Sequence, residues 1–399
     1  MENSISMSAG DVWHITWEYP PQHSGGLGVA CAGLVDALTQ WGEKPRVLTP
    51  SMMDDYSESN HPPAYDHCGL PRVEAEELLQ VMLAGERVSG QVSSHPVVAF
   101  SRWVLSQLAN GKPRVLHAHD WQAMVVGVAI QRALGIPLLA HIHSTHVERV
   151  GEHVSDSLFE LEKWGLQQAD VVVAVSRMTM EVLHKNYEVA TDKLRVVTNG
   201  HAVSASSQLR SRDLNPVEKR RVDILWVGRL CAQKDPVFML EVFQALKARV
   251  PGASLRMVGS GECAQLLQKL IDFKGLRSSV QLFPMLEHEK VMELFEDAKI
   301  LCVSSRAEPF GLVALEAAGA GCHCVLSSAC GAAEVLPSAT VLPLDELNAW
   351  VEQLELLLRY PRFLQHSQEA LHKEAASATW EDAAEKCRVI YCELLDGKT

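Results

Sequence analysis

The chain has 399 residues, 47% of them apolar, which is enough for two or three domains with sizeable cores. Its 49 acidic and 36 basic side chains give a net charge of −13, which argues against general nucleic-acid binding and against a strongly basic membrane face. No run of eighteen apolar residues occurs and Met1 to Gly10 lacks a signal-peptide core, so no transmembrane segment is expected and the expected location is the cytoplasm.

Asp11 to Trp17 reads as a first strand, followed by a loop from Glu18 to Gly28 that contains Gly25-Gly26-Leu27-Gly28. Val29 to Trp41 then has helical spacing, with Leu34, Val35 and Leu38 on one face. A strand, a glycine-rich turn and a helix bring phosphate close to backbone N–H groups, although such turns are also common as plain connections. Pro45 to Thr49 is a second short strand. Glu74 to Leu83 and His95 to Ala109 have helical character, and Ser51 to Lys112 as a whole carries no motif.

Arg114 to His117 is a strand that exits through Ala118-His119-Asp120-Trp121 into a helix reaching Leu134. Asp120 is either the cap of that helix or a functional carboxylate. Pro137 to His143 is the next strand, and alternation puts His141 and His143 on one face at its carboxyl end, where open α/β sheets bind ligands. His141, His143 and His146 together suggest a metal, but no carboxylate completes an evident ligand set. Asp170 to Val175 is a continuous apolar strand of the kind found in parallel sheets covered on both faces. Ser176 caps a helix from Arg177 to Asn186, and Leu194 to Thr198 is a strand leading into Asn199-Gly200.

The alternation restarts with a strand from Asp223 to Val227 and the loop Gly228-Arg229-Leu230-Cys231-Ala232-Gln233-Lys234-Asp235. Arg229 and Lys234 sit where a strand meets a helix and suit a diphosphate. Further strands are expected at Ser254–Val258, Ser279–Phe283, Ala298–Ser304 and Gly321–Ser327. Cys322-His323-Cys324 would place two sulfurs on one face, most simply as buried thiols, and the ten cysteines form no C-x-x-C pair, as in a reducing compartment. Helices are expected over His288–Glu296, Leu344–Arg359, Arg362–Ala376 and from Trp380 to Leu395. Between Ser304 and Gly319, Pro309 and Gly311 punctuate a turn into a helix. Glu308 lies in the turn and Glu316 in the helix, with unpartnered N–H groups between them that bind anions and sugar oxygens.

Glu308-Pro309-Phe310-Gly311-Leu312 with Glu316 resembles the E-x7-E motif of retaining glycosyltransferases of family 4 and the related glycogen and starch synthases. The opening glycine loop, the His117 to Trp121 string, the G-R-L-x-x-x-K string at Gly228 to Lys234 and a W-x-x-x-A string from Trp380 to Ala384 are similar to other motifs of that group. The resemblance implies an α/β protein of the GT-B fold, two doubly wound Rossmann-like domains facing a central cleft. The expected division is an acceptor-side domain over 1–203, a linker over 204–219, a nucleotide-sugar domain over 220–378 and a final helix over 379–399 that returns to the first domain.

The resemblance further implies transfer of a hexose, glucose first, from a UDP- or ADP-sugar to a saccharide or other hydroxyl acceptor, such as a glucan. It puts Glu308, Phe310, Gly311 and Leu312 at the donor sugar, Glu316 at the ribose, Arg229, Lys234, Gly25 and Gly26 at the phosphates, and His143 beside the sugar. Asp120 joins His143 and Glu308 as a candidate catalytic residue. No metal or other cofactor is expected, because Arg229, Lys234 and the helix end can neutralise the diphosphate. His23 stands where bacterial glycogen synthases place a lysine, which argues against ADP-glucose polymer synthesis. His146 and His201-Ala202 replace acidic residues common in relatives. The fold also serves epimerases of nucleotide sugars and catalytically silent synthase partners. The E-x7-E string speaks against the first, and the joint presence of Arg229, Lys234, Glu308 and Glu316 against the second.

Overall fold

A computed structural model describes residues 10–21, 25–53, 96–151, 154–201 and 214–397. The expected helix at 74–83, the position of His23 and most of the expected linker lie outside these residues. The described chain divides into two compact units, residues 1–200 with 380–399, and residues 201–379.

The first unit holds a six-stranded sheet of β1 (Val12–Ile15), β2 (Arg46–Leu48), β3 (Val115–His119), β4 (Leu138–Ile142), β5 (Val171–Ala174) and β6 (Leu194–Val196). Every pairing is parallel and the order is β2-β1-β3-β4-β5-β6. Apolar runs make this sheet: β5 is Val-Val-Val-Ala and buried throughout. The helices are α1 (Gly26–Gln40), α2 (Pro96–Ser106), α3 (Asp120–Leu134), α4 (His146–Val150), α5 (Ser157–Gln168) and α6 (Arg177–Lys185). Ser176 caps α6 by accepting the Thr179 N–H at 3.1 Å. Helix α1 starts three residues earlier than its apolar spacing suggests, so the glycine string lies at and inside its first turn. Helix α5, which the sequence reading passed over, buries Leu158, Leu161 and Leu166 in the core.

The second unit repeats the plan with β7 (Val222–Val227), β8 (Leu255–Val258), β9 (Val280–Phe283), β10 (Ala298–Val303), β11 (His323–Ser327) and β12 (Thr340–Leu342). Their order is β12-β11-β10-β7-β8-β9, again all parallel. Around it lie α7 (Pro236–Arg249), α8 (Ala264–Phe273), α9 (His288–Asp297), α10 (Leu312–Gly319), α11 (Leu347–Arg359) and α12 (Pro361–Ser377). Helix α7 follows the Gly228 to Asp235 loop as expected, and Asp235 caps it by accepting the Phe238 N–H while Pro236 occupies its first position. A last helix, α13 (Trp380–Asp396), belongs to the first unit and packs on α1. Gly33 of α1 makes room for it, since a Cβ there would come 2.3 Å from the Trp380 ring.

In each sheet the strand order reverses once, between β1 and β3 in the first and between β7 and β10 in the second. Doubly wound sheets bind ligands beside such reversals, at the carboxyl ends of the strands. The segments after β1, β3, β4, β7 and β10 hold the residues singled out above.

Candidate active site

In the second unit the loop after β7 and the loop after β10 are stitched into one wall. Arg306 N–H donates to Gln233 O at 2.7 Å, and Gln233 Nε2 donates to Ala307 O at 3.1 Å. The buried Ser304 hydroxyl takes a bond from Trp226 Nε1 at 3.0 Å and lies 3.0–3.1 Å from the carbonyls of Lys234 and Asp235. From behind, the Gly259-Ser260-Gly261 turn after β8 supports the same loop. Ser260 O accepts from Leu230 N–H at 2.8 Å, and Leu230 O accepts from Cys263 N–H at 2.9 Å.

Within this wall Lys234 Nζ lies 2.6 Å from Glu308 Oε2, which also accepts from Ser305 Oγ at 2.9 Å. The two residues assigned separately, to phosphate and to sugar, are thus one ion pair. Arg229 is half-buried in the same loop. Phe310 is buried, and its carbonyl accepts from Ala332 N–H at 2.6 Å, which fixes the turn. Gly311 precedes α10 at φ +101°, a left-handed conformation that favours glycine, and a Cβ there would press on Glu308 and Cys330. Ala314 N–H makes the first turn's bond back to Gly311 O, so the N–H groups of Leu312 and Val313 have no acceptor inside the helix. Glu316 lies a turn further on. No hydrogen bond or ion pair reaches its carboxylate among the described residues, and burial pushes its pKa up to about 7. Backbone donors, a lysine–carboxylate pair and an unpartnered carboxylate therefore follow one another along one turn and helix, an arrangement that suits an anion flanked by hydroxyl groups.

In the first unit Gly25 is extended and Gly26 opens α1, with open space in front of Gly25. Asp120 is the first residue of α3 at φ +58°, and it does not cap the helix. Its Oδ1 instead accepts the backbone N–H of His143 at 2.7 Å and of Ser144 at 3.3 Å, tying the loop after β4 to the end of β3. Burial raises its pKa to about 7, against the pull of Arg149 and of those N–H groups.

His143 stands at the carboxyl end of β4, and its ring stacks on that of His141 with centroids 4.5 Å apart. Three further histidines join them. Register places His14 beside His117 and His119 beside His141, all on one face. Alternation in His117-Ala118-His119 carried the signal, but the contribution of β1 requires the pairing of strands distant in sequence. Burial keeps all five imidazoles neutral. His14 and His143 fall to about 3, and His117, His119 and His141 lie well below the usual value, because burial opposes their charge and their neighbours' charges add to it.

His146 turns away from this row. It opens α4, capped by Thr145, and its Nε2 lies 2.9 Å from Asp156 Oδ2. The trio of His141, His143 and His146 is therefore no ligand set. The nitrogens of His14, His117 and His119 do lie within 4.8 Å of one another, as do ligand atoms of Cys31, His119 and His143, but the histidines of the first group use their nitrogens on one another, on Tyr391 and on His141 and His143. In the second unit Cys322 and Cys324 are buried thiols directed at the carbonyls of Phe295 and Ala314.

Two parallel α/β units, each with a single strand-order reversal, have the architecture of the GT-B fold. Sequence comparison gives the family. The group described as Glycosyltransferase Family 4 matches residues 24–204, and Glycosyl transferases group 1 matches residues 208–376. The chain belongs to the family 4 glycosyltransferases of GT-B fold. It is 28% identical to an uncharacterised glycosyltransferase of Methanocaldococcus jannaschii, over 81% of both chains. It is 27% identical to a glycogen synthase of Mycobacterium tuberculosis, over 81% of this chain and 79% of that one. Sucrose-phosphate synthase from Thermosynechococcus elongatus shares the fold, with a TM-score of 0.72 at 19% identity over 97% of this chain and all of the other. Among the described residues, no helix is long and apolar enough to cross a membrane.

Proposed function

We propose that this glycosyltransferase moves glucose, with retention of anomeric configuration, from a nucleoside-diphosphate sugar to a saccharide hydroxyl, without a metal. The observation that carries this reading is the grouping of Lys234, Glu308, the open N–H groups before Ala314 and the unpartnered Glu316 along one turn and helix. In this reading Glu316 holds the ribose, whose two hydroxyls can both donate to one carboxylate. The helix end, Arg229 and Lys234 face the developing diphosphate charge, and Glu308 accepts from the sugar. The work on the reaction is mainly electrostatic: it stabilises a leaving diphosphate and an oxocarbenium-like sugar with preorganised charges. The glycogen synthase relative supports a glucosyl donor.

The test is a screen of UDP- and ADP-sugars against acceptor pools, with the anomeric configuration of the product read by NMR. Transfer from UDP- or ADP-glucose with retention supports the reading. Inversion, epimerised donor without transfer, or no turnover of any nucleotide sugar rejects it.

A further inference from the structure

The histidine row is continuous. His143 Nε2 lies 3.0 Å from His119 Nδ1, and His119 Nε2 lies 3.0 Å from His14 Nδ1. His14 Nε2 meets the Tyr391 hydroxyl at 3.3 Å, and the same hydroxyl meets His117 Nδ1 at 2.7 Å. His117 Nε2 then lies 3.1 Å from His141 Nδ1. There the row stops, because His141 Nε2 is buried and has no hydrogen-bond partner among the described residues. At the other end His143 is only partly buried.

A neutral imidazole has one donor and one acceptor nitrogen, and a phenol hydroxyl does both. Each link holds one proton, and Tyr391 cannot accept from both of its neighbours without leaving its own buried O–H with no acceptor among the described residues, so the whole row has two possible directions. In one, all five rings carry the proton on Nε2 and the row ends in a buried N–H at His141 with no acceptor. In the other, all five carry it on Nδ1, and the blind end is a lone pair. Buried N–H groups without a partner are rarer in proteins than unfilled acceptors. The partly exposed end at His143 can meet water either way, so the blind end decides.

We propose that these six side chains form one hydrogen-bonded chain of fixed direction, which holds His143 with its proton on Nδ1 and so presents a donor, not a base, at the carboxyl edge of the sheet. Under the transferase reading above, on which only this last role rests, His143 donates to an oxygen of the substrate. His119, His14, Tyr391, His117 and His141 are positioning residues that act through it. A metal held by the same nitrogens is the competing use of the cluster.

The test needs no substrate. In protein labelled with ¹⁵N-histidine, two-bond ¹H–¹⁵N correlations tell the protonated nitrogen of each ring from the bare one. The expected result at pH 7 is five neutral rings, all protonated on Nδ1. Any of the five protonated on Nε2 or doubly protonated overturns the proposal, as does one equivalent of a transition metal bound by these rings. A second arm uses His119→Asp. Read at pH 9, where even a carboxyl raised as far as that of Asp120 has lost its proton, it sets a carboxylate, which only accepts, opposite His143 Nε2, and the resonance of that nitrogen should move from the bare to the protonated range. A folded variant in which it does not move overturns the link to His143. If the variant fails to fold, the wild-type spectrum still decides. A wrong tautomer leaves the transferase reading standing, and a failed transferase screen leaves the spectrum unaffected.

Discussion

Lys234 holds its ammonium 2.6 Å from Glu308 Oε2, so a substitution at either position acts on both. Lys234→Ala removes a charge-assisted contact worth about 1.5–3 kcal/mol, and nucleoside-diphosphate binding and transfer should each fall at least tenfold. Paired with Glu308→Gln, the loss in transfer should be smaller than the product of the single losses, because each single change already breaks the pair. Independent, multiplicative losses would show that the two do not act as a unit. Glu316 adds a pH dependence. Its carboxyl is raised to about 7, so it gains a proton as pH falls through neutrality and loses the charge that a ribose would bind. Calorimetric titration with UDP or ADP should show affinity falling from pH 8 to pH 6 in the wild type and staying flat in Glu316→Gln. The same shift acts on stability with a definite sign. Between the usual carboxyl range near pH 4 and pH 7, the folded chain holds protons at Asp120 and Glu316 that the unfolded chain has released. Stability therefore declines as pH rises through this window. The urea midpoints of Asp120→Asn and Glu316→Gln should decline less.

Among the elements, the turn between β8 and α8 sets the position of the loop that carries Arg229. A Cβ on Gly259 would stand 1.8 Å from Gly228 O, and one on Gly261 would stand 2.4 Å from Leu230 O. Both obstacles are backbone and cannot swing aside. Gly259→Ala should cost about 2 kcal/mol or more, read as a lower denaturant midpoint, and should weaken nucleotide binding through the displaced loop. A midpoint within error of the wild type would mean that the turn relaxes freely. Strands such as β5 and β10 and the strings at Gly228 to Lys234 and Glu308 to Glu316 were legible in the sequence, because each is a local run whose meaning needs no distant partner. The start of α1 at Gly26 was hidden because glycine is a poor helix former, and tertiary packing overrode that preference. The Lys234–Glu308 pair and the histidine row were not legible for a stronger reason. They join residues from elements far apart in the sequence, and Tyr391 stands 377 positions from His14. Sequence alone leaves Asp120 between a helix cap and a functional carboxylate, and its left-handed backbone removes the first by swinging the carboxylate away from the helix end and toward His143.

For the molecule as a whole, no step proposed here needs a divalent ion, so transfer should survive EDTA. Complete loss on chelation, restored only by Mg²⁺ or Mn²⁺, would reject the metal-free reading. Helix α13 supplies the first unit with Trp380 against Gly33, Arg388 paired to Glu43 at 2.6 Å, and Tyr391 between two histidines. Deletion from Trp380 onward should therefore abolish the cooperative unfolding of the first unit, followed by circular dichroism or limited proteolysis. This division also fixes an order in biosynthesis. The ribosome delivers β1 to β6 first, then the entire second unit, and only afterwards the helix that completes the first. The second unit is one uninterrupted stretch and can close as it emerges. The nascent first unit must meanwhile wait with the Gly33 side of α1 uncovered and with His14 and His117 lacking the hydroxyl that joins them. Such a surface is a target for chaperones that hold unfinished chains, and maturation of the first unit is tied to completed translation of the second.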